Sequence, residues 1–241
     1  MTDDTENMAD ASTTTTTDGG STSVYQTALG RTLLALCAVA VIAISVTAGY
    51  LLHRPKDGFV PPGVASVDAG FLRDMATHHE QAIQMAQYVR DNSTDPAIRL
   101  WGFDIETSQT FQVGQFSAWL QAWGLSRTSD LPVMSWMSNE HAHMSPSATS
   151  GPNAMMPGIA TPAEMDKLKT LTGKALDVNF LQLMIRHHQG GVEMANYAAN
   201  FATMPYVRDI AKSMDAGQSA EIIDMERDLR ARGGTLLPFT G

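Results

Sequence analysis

The sequence predicts an all-α protein: an antiparallel four-helix bundle built from two duplicated helical hairpins, plus one N-terminal transmembrane helix. Three observations carry this reading. Residues 68–124 recur at a constant offset of 109 positions as residues 177–233, with no insertion. Apolar residues in each copy return at three- and four-residue steps, the period of an amphipathic helix, and strand alternation is absent. Ahead of the repeat, residues 32–52 carry no formal charge.

Residues 1–31 are mostly Thr, Ser, Asp and Gly, with almost no large apolar side chain to offset the entropy of ordering. A disordered tail is expected there. Residues 32–53 form the expected membrane anchor, since about 20 apolar residues at about 1.5 Å each span a hydrocarbon core of about 30 Å. The run exceeds the roughly 7 to 15 residues of a signal-peptide core, so the anchor is expected to stay uncleaved. Arg31 precedes it and His53, Arg54 and Lys56 follow it, a charge margin too small to fix orientation. The only cysteine, Cys37, falls inside the span, so one chain forms neither a disulfide framework nor a thiolate metal site. A Met- and His-rich domain without cysteine suits an extracytoplasmic location. The formal net charge is −9, with no basic stripe of the kind nucleic acid requires.

After a linker at 54–63, the bundle domain is expected over 64–236. Its first helix carries Phe71, Met75, the His78–His79 pair, Ala82, Ala86 and Val89 on one face. The stretch DNSTDP then ends that helix and starts another, with Asp95 as N-cap and Pro96 in the first helical position. The partner helix has the stripe Ile98, Trp101, Ile105, Phe116 and Trp119 or Leu120, and stops at Gly124. In the second copy Pro205 breaks the chain, and the stripe Val207, Ile210, Met214, Ile222, Met225 and Leu229 runs to Gly233. Two hairpins that each need cover for an apolar face pack on each other as a bundle. Between them lies a Met/His-rich loop, 125–160, long for a compact domain. Thr161, Pro162 and Glu164 then give the capping-box pattern of a short helix.

The repeat contains its own chemistry. At about 100° per residue, Met75, His78, His79 and Met85 face the bundle interior, and so do Met184, His187, His188 and Met194 one repeat later. A buried imidazole needs partners for both nitrogens, and two inward His pairs at matching levels are able to converge on one metal site. Gln109 and Gln218, aligned polar residues on apolar stripes, are expected to hold the imidazoles from behind. The competing reading makes each His a hydrogen-bonded core residue and each Met core filler. Di-iron bundles place Glu three residues before His, where this chain has Met75 and Met184. A thioether in place of a hard oxygen selects a soft ion, so Cu(I) is expected, with iron or zinc as alternatives. In the loop, Met137, His141, His143 and Met144, together with Met134, Met155 and Met156, form a candidate secondary metal segment.

The motif Phe-Leu-x-x-Met-x-x-His-His-x-x-Ala-Ile-x-Met-Ala, with its second copy near the C-terminus, resembles the domain of unknown function 305 (DUF305) family, which includes CopM-like copper-binding proteins. The resemblance covers roughly residues 64–233. It implies a ferritin-like four-helix fold, an extracytoplasmic location and, in copper-binding members, ligation by Met and His; its signature falls on the eight repeat residues named above. Gly190-Gly191 stands where the first copy has Gln81-Ala82, which lets backbones approach closely. The function expected is a membrane-anchored copper-binding protein for sequestration or relay. The alternatives are a metal-free accessory subunit docked on a membrane complex and a ferritin-like metal oxidase. No nucleophile triad, phosphate loop or dinucleotide fingerprint is visible.

Overall fold

Six α-helices and no strand form among the described residues, 28–52, 58–137 and 156–239, of the computed structural model. The chain divides into two units, Met1–Phe59 and Val60–Gly241. In the first, α1 spans Ala28–Leu52, and its described apolar side chains Leu36, Val39, Val41, Ile42, Ile44 and Val46 are exposed. Among the described residues no helix is long and apolar enough to cross a membrane.

The second unit holds two long hairpins, α2 (Val67–Asn92) with α3 (Pro96–Ala122), and α5 (Gly173–Phe201) with α6 (Pro205–Ala231). Asp95 caps α3 by accepting from the Ala97 amide at 2.9 Å, with Pro96 first in the helix. Gly124 and Gly233 follow α3 and α6 in left-handed conformation, φ 71° and 68°, which only glycine adopts without strain. The short α4 (Pro162–Thr170) begins with the predicted capping box between Thr161 and Glu164.

The hairpins join through α2 against α5, which run antiparallel. The conserved register of the repeat explains how they are fastened. Asp68, fully buried at the start of α2, accepts from the Thr203 and Met204 amides and the Thr203 hydroxyl at 2.8–3.1 Å, closing the turn of the other hairpin. Its repeat mate Asp177, at the start of α5, accepts from the Ser93 hydroxyl at 2.6 Å beside the turn of the first. Helices α3 and α6 are also antiparallel, but they meet mainly at their ends. Trp101 donates to Asp228 at 2.9 Å and Arg232 to Asp95 at one end; Trp123 donates to Tyr206 at 3.0 Å at the other. Between these ties a half-open cavity of about 80 Å³ separates them.

Two apolar clusters fill the interior. One contains Phe71, Met75, Phe116, Met194 and Met214; the other contains Met85, Ile105, Phe180, Met184 and Met225. Burying each of the three phenylalanines stabilises the fold by roughly 1.5–3 kcal/mol. Part of the long loop is folded on top: Asp74 accepts from the Met134 amide at 2.7 Å and from Trp136 Nε1 at 2.8 Å. The Trp136 ring lies against Gly70, where a Cβ would fall 2.4 Å from it.

Candidate metal centre

The four repeat histidines sit on α2 and α5, between the two apolar clusters, and none is more than 1% exposed. Each is held through Nε2. His78 Nε2 donates to the Pro157 carbonyl at 3.1 Å, and His187 Nε2 to the main-chain carbonyl of His78 at 3.0 Å. His79 Nε2 is 2.6 Å from Gln112 Oε1, and His188 Nε2 is 2.8 Å from Glu221 Oε2. Every partner is an oxygen acceptor, which assigns the proton of each neutral ring to Nε2. The lone pair is therefore on Nδ1.

All four Nδ1 atoms are buried without a hydrogen-bond partner, and so are the side-chain oxygens of Gln109 and Gln218. Six acceptors thus face the interior of one bundle with no donor to meet them. An unmet buried polar atom costs about 1–3 kcal/mol, a cost that a bound cation or a water molecule would relieve. Oxygen acceptors holding the outer N–H of buried imidazoles are also the supports that orient metal-bound histidines.

Burial keeps three of the rings neutral, those of His78, His79 and His187. It lowers His78 to about 4, with the field of His188 adding to the effect and the Pro157 carbonyl opposing it. It lowers His79 to about 3 and His187 well below the ordinary value. Uncharged imidazole is the form that ligates a metal.

The pairs do not converge on one point. The His78 and His187 rings meet across the α2–α5 contact, centroids 3.8 Å apart and planes inclined by 36°. His79 and His188 turn instead towards α3 and α6, each to its own hairpin partner. Among the described residues no group of three or more His, Cys, Asp or Glu is arranged to hold a metal. The remaining donors at this level are thioethers: Met75, Met85, Met184 and Met194 are all fully buried. Each apolar cluster combines signature methionines of both copies, Met75 with Met194 and Met85 with Met184. Sulfur from both hairpins therefore flanks the histidine layer.

The supports of the imidazoles also differ from the sequence reading. Gln109 and Gln218 do not hold the imidazoles; Gln112 and Glu221, three residues further on and also related by the repeat, do. Gln218 lies against Gly191, its oxygen 2.2 Å from where a Cβ would stand. Among carboxylates, Glu80 pairs with Arg127 at the surface and Glu106 with Arg90 and Gln87. In the loop, Met134 is buried and Met137 half-buried against the first cluster, whereas His141, His143, Met144 and Met155 lie outside the described residues. Met156 begins a clasp over α2 and α5. Gln81 makes a pair of hydrogen bonds to Ala160, 2.7 and 2.9 Å, and Gly190 leaves room for the Pro157 carbonyl, 1.9 Å from an ideal Cβ.

A family model described as domain of unknown function (DUF305) matches residues 68–229, both copies of the His-His helix included. The chain belongs to the DUF305 family. A DUF305 protein from Streptomyces coelicolor is 39% identical, over 73% of this chain and 99% of its own, with a TM-score of 0.65. A DUF305 fragment from Deinococcus radiodurans is 32% identical, over 71% and 99%, with a TM-score of 0.56. CopM in its Cu(I)-bound form is 24% identical over 68% and 96%, with a TM-score of 0.50, and shares the fold. No curated protein matches the chain.

Proposed function

We infer that this DUF305 protein binds Cu(I) through the buried His/Met layer and serves copper sequestration or relay outside the cytoplasm, held to the membrane by the N-terminal helix. The observation that carries the ion is the set of four buried Nδ1 lone pairs, each on a ring whose Nε2 is already held. Imidazole nitrogen with thioether sulfur is a soft donor set that suits Cu(I). His78, His79, His187 and His188 would supply the nitrogens, and Met75, Met85, Met184 and Met194 the sulfurs. The neighbour CopM occurs in Cu(I)-, Cu(II)- and silver-bound forms; that likeness supports the fold, and the donor chemistry of this chain supports the metal. His141, His143, Met144 and Met137 would form a secondary site.

Location rests on two supports. The Streptomyces relative carries the description of a secreted protein. Residues 32–52 are uncharged and fall within α1, whose described apolar side chains have no cover. The test is the copper content of the full chain after anaerobic Cu(I) loading, compared with the His78→Ala/His187→Ala variant. Reduced stoichiometry in the variant is expected; unchanged stoichiometry would remove the bundle histidines from the site.

A further inference from the structure

The histidines and methionines of the inner layer are closed to solvent, so an ion reaching them needs a path. Two sides of the layer are candidates. On the α2–α5 side the clasp covers it, with Pro157 against Gly190 and Ala160 tied to Gln81 at both its amide and its carbonyl. On the other side, the α3–α6 cavity is half open, and its wall includes the two groups that hold the outer imidazoles, Gln112 and Glu221. Gln109 and Gln218 line it too, each less than a tenth exposed, each with an unpartnered oxygen. Glu221 is the one formally charged residue in this lining, and a lone carboxylate beside polar amides favours a cation over an anion.

We propose that the groove between α3 and α6 is the port through which a soft cation reaches the histidine layer, with Glu221 and the Gln109 and Gln218 amides receiving it before His79 and His188 take it. The proposal rests on the copper reading for the identity of the ion and on the cavity for the route. Glu221 and Gln112 are positioning residues here, since each touches a histidine that would do the binding.

Gly217 makes the route testable. It lines the groove and is exposed on α6, and a Cβ placed there meets nothing within 4 Å. Gly217→Phe therefore puts a bulky ring at the groove with no clash at its Cβ, and replacing a mid-helix glycine costs no helix propensity. Gly114→Phe is the control: a Cβ there also meets nothing within 4 Å, and Gly114 is not part of the groove lining. The full chain is mixed with Ag(I), a redox-inert soft monovalent ion, and uptake is followed by tryptophan fluorescence. Uptake about tenfold slower or more in Gly217→Phe, with unchanged final stoichiometry and wild-type behaviour in Gly114→Phe, is the expected result. Equal rates in all three proteins would overturn the proposal. So would faster uptake in Gln81→Ala, which loosens the clasp and would assign the route to that side. Loss of stoichiometry in Gly217→Phe, with no change in rate, would put the ion in the groove itself and contradict passage through it. If the wild type takes up no Ag(I), the metal reading fails, and the route is then judged without metal by deuterium exchange at the imidazole C2 carbons of His79 and His188. Exchange slowed by the plug upholds the groove as the way in; equal exchange refutes it.

Discussion

Acidification from pH 7 to pH 5 is expected to weaken the bundle before its carboxylates matter, because three of its histidines are folded in the neutral form. Burial holds His78 at about 4 and His79 at about 3, and His187 well below the ordinary value. In the unfolded chain each returns to about 6.5 and takes up a proton over this interval. The unfolded state then binds more protons than the folded state, so stability is fullest above pH 6.5. It falls with pH from there down to the folded values, about 4 for His78 and about 3 for His79. Between pH 7 and pH 5 each such histidine favours unfolding by roughly 2 kcal/mol, and three by roughly 5 to 6 kcal/mol. The folded rings stay neutral throughout, so the size depends on the unfolded value alone. Against an ordinary stability of about 5–15 kcal/mol this is a large loss. Urea unfolding followed by tryptophan fluorescence measures it, since Trp101, Trp119, Trp123 and Trp136 all lie in the second unit. In His78→Gln/His79→Gln, about two thirds of the pH dependence should disappear. Equal stability at both pH values, or an undiminished slope in the variant, would refute the neutral-imidazole argument.

Asp68→Ala strips the Thr203 and Met204 amides of their buried acceptor, and a loss of about 2–4 kcal/mol by urea unfolding is expected. Gly190→Ala drives a methyl group into the Pro157 carbonyl, so amide exchange at residues 156–161 should rise while overall stability falls by about 1–3 kcal/mol. Arg186→Ala removes the paired hydrogen bonds that hold the Glu164 carboxyl at about 2. That pair stabilises above the ordinary carboxyl value and its contribution disappears as pH falls towards about 2, so the variant should lose about 1–3 kcal/mol at neutral pH, and less in acid.

The repeat made most of this architecture legible. A shared register of Asp, Met, His-His and Met cannot arise from hydrophobic patterning alone, and it placed the hairpins and the inward histidines, while local capping patterns placed Asp95 and Thr161. The paired Asp68 and Asp177 were visible as repeated residues, but their work was not. Each acts on the turn of the opposite hairpin, a contact across more than 80 positions that no local pattern encodes. The same limit explains the partners of His79 and His188. On α3 and α6, positions 109 and 112 are neighbours on one face, as are 218 and 221, and the helix separation decides which residue reaches the ring. Gln112 and Glu221 are repeat mates, so the repeat did contain a signal for them. Residues 125–137 read as irregular because their order comes from Arg73, Asp74 and Gly70 on α2, all outside the loop. In α1 the helical form agrees with the sequence, but among the described residues no helix is long and apolar enough to cross a membrane.

The central claim is that four buried imidazoles, protonated on Nε2, present their Nδ1 lone pairs to a soft ion. Nitrogen-15 NMR of the histidine side chains reads this directly, before and after anaerobic addition of Cu(I). The account predicts the Nε2–H tautomer at His78, His79, His187 and His188 in the metal-free protein, and displacement of all four Nδ1 resonances on loading. Protonated Nδ1 atoms, or Nδ1 resonances indifferent to copper, would contradict it.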